Sequence, residues 1–392
     1  MMEALGPLIP DDGPAASRAW RRIRGITVLI IALLLITLLS PVLLVLAAAV
    51  DLALWLRRRK PWMAVRLLAM LWWFLIGELY GLLGLLTIWA LSGGRDSARR
   101  RDRVYRLKRR WLRSHLAGIR ALFGLRFAVS GIKDAAPGPV LVMIRHASII
   151  DNALPDAILG RAHGLNFRFI IKRELQMLPT IDIGGRWVPT LFVRRASGDT
   201  ASELERMRAL TVNMSSDDGL LIYPEGTRCT MEKLARAKAI IAERQPELAP
   251  LADRLQNVLP PRLGGTLELL ESARNADIVI FGHVGLDGFE YISDIWSGGL
   301  VGTTVHLRFW RFAAAEVPRG RDALIVWLYD RWQELDDWVG EMRGAHAPER
   351  DKTVLANKTK RNANPEVQDD QDSLYNRGSR NRRTRRGTRT HQ

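Results

Sequence analysis

Pro139-Val140-Leu141-Val142-Met143-Ile144-Arg145-His146-Ala147-Ser148-Ile149-Ile150-Asp151-Asn152 is the stretch that decides how this chain folds. Its first six residues are a short β-type run, and polar groups gather where the run ends. Five more such runs follow: Phe167–Ile171, Pro189–Val193, Gly219–Tyr223, Ile278–Val284 and Thr303–Trp310. Helical patterns lie between several of them, over 201–214 and 230–244, and 321–343 carries Leu324, Trp327, Leu328, Trp332, Leu335 and Trp338 on one face. Strands alternating with helices predict an α/β fold, a mostly parallel sheet flanked by helices. Open sheets of this kind carry their sites beyond the carboxyl ends of the strands.

His146 and Asp151 sit at such an end. A histidine five positions before an aspartate can close a turn in which the carboxylate meets the imidazole. That contact fixes the tautomer and leaves the other ring nitrogen as a general base. Alone the pair is a common pattern, equally read as a histidine capping a helix start. A second group, Tyr223-Pro224-Glu225-Gly226-Thr227-Arg228, also follows a strand. Its glycine permits close backbone approach, its threonine offers a hydroxyl, and its arginine is a forked donor suited to phosphate, with Glu225 able to hold that arginine. A third group is basic: Lys172 after one strand, Arg194 and Arg195 after another. On one sheet edge these groups make a base beside a phosphate clamp; apart, they are charges flanking strands. Cys229 has no partner base near it in sequence and reads as a packed side chain. Ser148 lacks the Gly-x-Ser-x-Gly setting of a serine hydrolase.

The 47% apolar content is unevenly spread. From Ile26 to Leu56 the only charge is Asp51; Arg57, Arg58, Arg59, Lys60 and Pro61 follow, and a second apolar stretch runs from Met63 to Leu91. Each exceeds the ~20 residues that cross a bilayer, and Trp55, Trp62 and Trp89 lie near the ends, where interfacial belts form. The heavier basic flanks predict a hairpin with both ends in the cytoplasm. Glu78 in the middle of the second stretch and Pro41 in the first leave open a shallow hairpin held in one leaflet.

The net charge is +17. Residues 95–113 hold ten Arg/Lys against two Asp, and 376–392 hold seven Arg and no acid. The first cluster, beside a membrane segment and on a helix carrying Val104, Leu107, Trp111, Leu112 and Leu116 on one face, predicts contact with anionic headgroups. Nothing else in the chain points to nucleic acid. One cysteine excludes an internal disulfide and a cysteine metal site, as suits a reducing compartment.

With these motifs in order, the chain resembles the glycerolipid acyltransferase family, the group containing the lysophosphatidic acid acyltransferases. His146 and Asp151 match its first motif, His-x4-Asp. Lys172, Leu175, Pro179 and Phe192-Val193-Arg194-Arg195 follow its second, and Tyr223 to Arg228 its third. Thr230, Lys233 and Ala237, then Asn257-Val258-Leu259-Pro260-Pro261-Arg262 and Gly265, are similar to the branch that includes lysocardiolipin acyltransferases. Three positions depart from the pattern. Arg145 replaces a common asparagine, where it would depress the imidazole pKa or bind phosphate. Asp182 stands where glycine is usual, and the fourth motif survives loosely as Val279-Ile280-Phe281-Gly282-His283, with His283 read as strand-end packing.

The resemblance implies an acyltransferase that moves a fatty-acyl group from acyl-CoA to the hydroxyl of lysophosphatidic acid, with no cofactor and no metal. His146 would be the base and Asp151 its support. Glu225, Gly226, Thr227, Arg228, Lys172, Arg194 and Arg195 would hold the acceptor's phosphate. The alternatives are another lysophospholipid or a phosphorylated glycolipid as acceptor, or a non-catalytic lipid-binding protein on the same fold. The expected organisation is a cytoplasmic segment over 1–24, a membrane hairpin over 25–92 and a basic amphipathic helix over 93–130. An acyltransferase domain over 131–346, on the cytoplasmic side of the membrane, and a disordered Arg-rich tail over 347–392 complete it.

Overall fold

A computed structural model describes residues 6–10, 13–193, 200–289 and 291–345. The Arg-rich tail, expected to be disordered, lies outside the described residues. Seven strands form one sheet: β1 (Arg126–Ser130), β2 (Val140–Ile144), β3 (Asn166–Lys172), β4 (Thr190–Val193), β5 (Asp218–Ile222), β6 (Asp277–Val284) and β7 (Thr304–Phe312). Their order is β1-β7-β6-β2-β5-β3-β4. Every pairing is parallel except β6 with β7. The sheet is therefore mostly parallel, and β2 to β6 bring their carboxyl ends to one edge.

Eleven helices are described: α1 (Ala15–Arg58), α2 (Ala64–Ser92), α3 (Ala98–Phe123), α4 (Leu154–His163), α5 (Pro179–Gly184), α6 (Thr200–Ala209), α7 (Met231–Arg244), α8 (Ala249–Arg254), α9 (Leu263–Ser272), α10 (Ile292–Ile295) and α11 (Arg321–Ala345). The central strand β2 is buried along its whole length, since both faces of the sheet are covered. Val140, Val142 and Ile144 join a core with Leu116, Phe123 and Leu154 of α3 and α4. Leu141 and Met143 join a second core with Leu267 and Leu270 of α9 and Leu328, Trp332 and Leu335 of α11. Alternate side chains of one strand thus hold the two helical layers.

The basic helix is shorter than the sequence predicts. Gly124, in the left-handed conformation with φ +68°, ends α3, and residues 126–130 join the sheet edge as β1 rather than continuing the helix. Four of the five β1 residues are exposed, so the strand lacks the buried pattern that marks the others. The basic cluster is also split by burial. Arg100 and Arg101 are buried, Lys108 donates to the Phe167 carbonyl at 2.9 Å, and Arg109 donates to Asn166 Oδ1 at 2.7 Å. Arg95, Arg99, Arg106, Arg110 and Arg113 are exposed.

α1 and α2 are long and apolar enough to cross a membrane. Most residues of α1 are exposed, Leu38 by 77% and Val45 by 69%. An exposed apolar run of this size marks an interaction surface. Asp51, the lone charge in that run, is fully buried and caps the next helix. Its Oδ1 accepts the amides of Met63 and Ala64 at 3.0 and 2.9 Å, and Oδ2 that of Val65 at 2.9 Å. A carboxylate across three orphan amides satisfies the positive end of α2 and closes the hairpin.

The hairpin also lies against the domain at both ends. Lys60 sits 3.9 Å from the centroid of the Trp296 ring, and Met63 is buried in the core of the sheet. At the other end α5 is held between the two long helices. Asp182, fully buried, accepts Arg21 Nη2 and Arg22 Nε of α1 at 2.9 Å each, and Thr180 Oγ1 donates to the Glu78 carbonyl of α2 at 3.2 Å. A side chain at Gly81 would meet Thr180 at 2.6 Å, so that glycine lets α2 approach α5. The aspartate that departs from the family's glycine is thus the tie between α5 and the start of α1.

Candidate active site

The chain turns sharply after β2. Ile149 donates to the Phe289 carbonyl and Ser148 Oγ to the same oxygen at 3.0 Å, so the turn is fixed from outside. From inside it is closed by Asp151, which lies in a short 3-10 turn. Asp151 Oδ2 accepts the amides of Ala147 and Ser148 at 2.8 Å each, and His146 Nδ1 stands 3.1 Å from the same atom. The hydrogen on Nδ1 is assigned from this partner, because a carboxylate accepts. His146 Nε2 then carries the lone pair, and no described protein group bonds to it. Tyr223 packs its ring 4.6 Å from that of His146 and donates to the Asp151 carbonyl at 3.3 Å. This support was not picked out from sequence, although Tyr223 opens the third motif.

Behind the aspartate stands His283. Its Nε2 donates to the Arg145 carbonyl at 2.9 Å and lies 3.6 Å from Asp151 Oδ2. Burial alone raises the Asp151 carboxyl, but the His146 hydrogen bond and the electrostatic pull of the two imidazoles, His283 among them, outweigh it and hold the group well below the ordinary carboxylate range. His283 at the end of β6 therefore backs the pair and does not merely pack.

Two expected roles change. Arg145 does not face the imidazole or solvent. It is fully buried, donating to the His283 carbonyl at 2.7 Å and to Asp287 Oδ1 at 2.5 Å, with Arg343 on the same carboxylate oxygen at 2.7 Å. A guanidinium spent on a half-buried carboxylate and a buried carbonyl is not a phosphate ligand. Glu225 also points inward and is buried. Its Oε1 accepts the His146 amide at 2.7 Å and Oε2 the Leu259 amide at 3.1 Å. Burial pushes its carboxyl up to about 8, against the Arg145 charge and the two amides, which favour the carboxylate. It fixes the backbone at His146 and Leu259 rather than facing outward.

Gly226, at φ +66°, turns the third motif outward, and Thr227 and Arg228 follow, both half-buried. Cys229 donates its amide to the His146 carbonyl at 2.8 Å, which joins the two motifs in space. Burial pushes its thiol up to about 12, which suits a packed side chain and not a nucleophile. Lys172 ends β3 on the same sheet edge, in register with Val193 of β4. Arg194 and Arg195 lie outside the described residues.

An acyltransferase family model matches residues 126–247. The chain is 27% identical to the 1-acyl-sn-glycerol-3-phosphate acyltransferase epsilon of Mus musculus, over 54% of this chain and 60% of that protein. It is 25% identical to lysocardiolipin acyltransferase 1 of Mus musculus, over 59% of this chain and 61% of that protein. The match thus spans about six-tenths of the length of these curated relatives. Among solved structures, the 1-acyl-sn-glycerophosphate acyltransferase PlsC of Thermotoga maritima is similar with a TM-score of 0.41 and 15% identity, over 69% of this chain and 95% of that one. The matched segment carries both the His146–Asp151 turn and the Glu225–Arg228 loop, and over it the chain is similar to the acyltransferases that act on glycerolipids.

Proposed function

We propose that this chain transfers a fatty-acyl group from acyl-CoA to the free hydroxyl of lysophosphatidic acid, giving phosphatidic acid. The observation that carries the reading is the His146–Asp151 turn with Nε2 unoccupied, bonded through Cys229 to the loop that bears Arg228. His146 Nε2 takes the proton of the acceptor hydroxyl while Asp151 stabilises the imidazolium. The hydroxyl oxygen attacks the thioester carbonyl; a C–O bond forms, the C–S bond breaks, and the proton passes from the imidazolium to the departing sulfur. Arg228, Thr227 and Lys172, with Arg194 and Arg195, hold the acceptor's phosphate and aim its hydroxyl.

Purified protein given labelled oleoyl-CoA and a panel of lysolipids tests the reading. Labelled phosphatidic acid as the main product is the expected result. A different labelled phospholipid moves the assignment to that acceptor, as the similarity to lysocardiolipin acyltransferase 1 would suit. No transfer to any acceptor overturns it. In the same assay Arg228→Ala should raise the acceptor KM by about tenfold and leave kcat little changed, the effect of removing one charge-assisted bond made equally in ground and transition states. An unchanged acceptor KM removes Arg228 from the phosphate site.

The hairpin attaches the domain to the membrane from one side. Both of its ends touch the same domain, at Trp296 and at Asp182, which favours a helix pair embedded beside the domain over one whose loop emerges across the bilayer. The exposed arginines of α3 then meet anionic headgroups. A Lys60→Cys substitution in a Cys229→Ser background reads this directly. In sealed vesicles a membrane-impermeant maleimide should label Cys at position 60 from the side that also exposes the catalytic domain; labelling from the opposite side alone refutes it.

A further inference from the structure

The segment from Leu255 to Arg262, between α8 and α9, has no regular secondary structure, yet its backbone is fastened almost residue by residue. Asp336 Oδ1 of α11 accepts the amides of Gln256, Asn257 and Val258 at 2.9, 2.5 and 2.9 Å. Trp332 Nε1 donates to the Leu259 carbonyl at 2.9 Å, and the Leu259 amide donates to Glu225 Oε2 at 3.1 Å. Pro260 and Pro261 are buried, and the Arg262 amide donates to the Pro224 carbonyl at 2.9 Å. Two elements therefore fix this loop, α11 and the Pro224–Glu225 turn, the turn taking two of its bonds. Because Glu225 also takes the His146 amide, the loop is held to the same carboxylate that positions the base.

The loop ends in an arginine unlike those around it. Arg145, Arg343 and Arg168 each bond to a carboxylate, whereas Arg262 is exposed and its guanidinium meets no partner among the described residues. Its side chain runs across Gly226: a Cβ there would lie 2.7 Å from Arg262 Cδ and Nε and 3.1 Å from Cζ. The glycine at the tip of the third motif thus leaves room for this side chain, which lies over the turn leading to Arg228. A rigid backbone that presents an unpaired fork at the mouth of a site is what recognition of a compact anion requires.

We propose that Arg262 is a phosphate-binding residue of the active site, its guanidinium closing on a substrate phosphate from the side of Gly226 opposite the chain to Arg228. The ligand is a phosphate group of a substrate, either the acceptor's monoester or the phosphates of CoA. The inference rests on the acyl-transfer reading for its substrates, although binding alone can be measured without turnover.

The test is Arg262→Met in the full chain in detergent micelles, with oleoyl-CoA and lysophosphatidic acid. Methionine keeps an apolar stem over Gly226 and removes the charge, and exposure of the residue leaves the fold intact. The KM of one substrate should rise about tenfold with kcat within twofold of the parent, and Arg262→Lys should recover part of the loss. A rise confined to lysophosphatidic acid assigns the acceptor's phosphate; a rise confined to oleoyl-CoA assigns CoA. In parallel, the rise in Tm given by lysophosphatidic acid and by CoA is measured for the parent and Arg262→Met. A smaller rise for one ligand in the variant supports the site even if the parent transfers no acyl group, in which case the proposed function falls and Arg262 stands. Unchanged KM values for both substrates, or identical Tm rises with both ligands, overturn the proposal.

Discussion

His146→Gln loses acyl transfer by about 10³-fold, within the ~10²–10⁴ that a positioned general base contributes, while its melting temperature and membrane partition stay at parental values. The structure separates the two outcomes. The bonds that hold the turn use the backbone of residue 146: its amide to Glu225 Oε1 and its carbonyl to the Cys229 amide. The side chain adds only the contact to Asp151 and the face against Tyr223. Glutamine supports neither a free imidazole nitrogen nor an imidazolium, so it removes the chemistry and keeps the scaffold. Labelled product at a fixed time and thermal melting in the same detergent read both halves. Turnover within tenfold of the parent would remove His146 as base and take the proposed mechanism with it.

The sheet was legible because its strands are buried on both faces, and six of the seven declare themselves as short apolar runs. β1 escaped because an exposed edge strand needs no such run; only Gly124, which ends α3, marked the change. In the site, the motif residues were legible as types, but the direction of each side chain was not. Arg145 and Glu225 look like ligands in a linear reading, since charge beside a catalytic histidine suggests contact with substrate. Their burial follows from partners far away in sequence, Asp287 and Arg343 for one and Leu259 for the other. Asp182 was equally opaque, because its two arginines precede it by about 160 residues.

These long-range partners give the departures from the family pattern a common logic. Arg145 donates to the His283 carbonyl, and its own carbonyl accepts from His283 Nε2, so the residue before His146 and the last polar side chain of β6 bind each other. Burying a charged arginine beside His146 is tolerable only with a carboxylate to meet it. Burial raises the Asp287 carboxyl, but the Arg145 and Arg343 charges hold it well below its usual range. Substituting one member alone strands the others, which is why these residues are to be understood as a set.

Asp151 yields the second large effect, and it distinguishes charge from geometry. Only Oδ2 is used; Oδ1 is buried without a partner. Asn at position 151 can therefore turn its carbonyl oxygen to the Oδ2 position, keep all three donors, and leave its amide where nothing was bound. Asp151→Asn preserves the tautomer of His146 and loses only the negative charge that stabilises the imidazolium, an expected fall in kcat of about 10²-fold. Asp151→Ala also strands the amides of Ala147 and Ser148, each at about 1–3 kcal/mol, and should fall about 10³-fold with a clearly lower Tm. Equal activity in the two variants would mean that the carboxylate serves only as a brace. The stability profile gives an independent reading. The folded carboxyl lies below its unfolded value of about 3.9, so its stabilising contribution is complete above that pH and is lost as pH falls toward the folded value. Asn does not titrate, so Asp151→Asn should show a smaller loss of Tm between pH 5 and pH 3, each about a unit from that unfolded value, than the parent shows. An acid limb as steep as the parent's would assign acid sensitivity to other carboxylates and detach the buried pair from it.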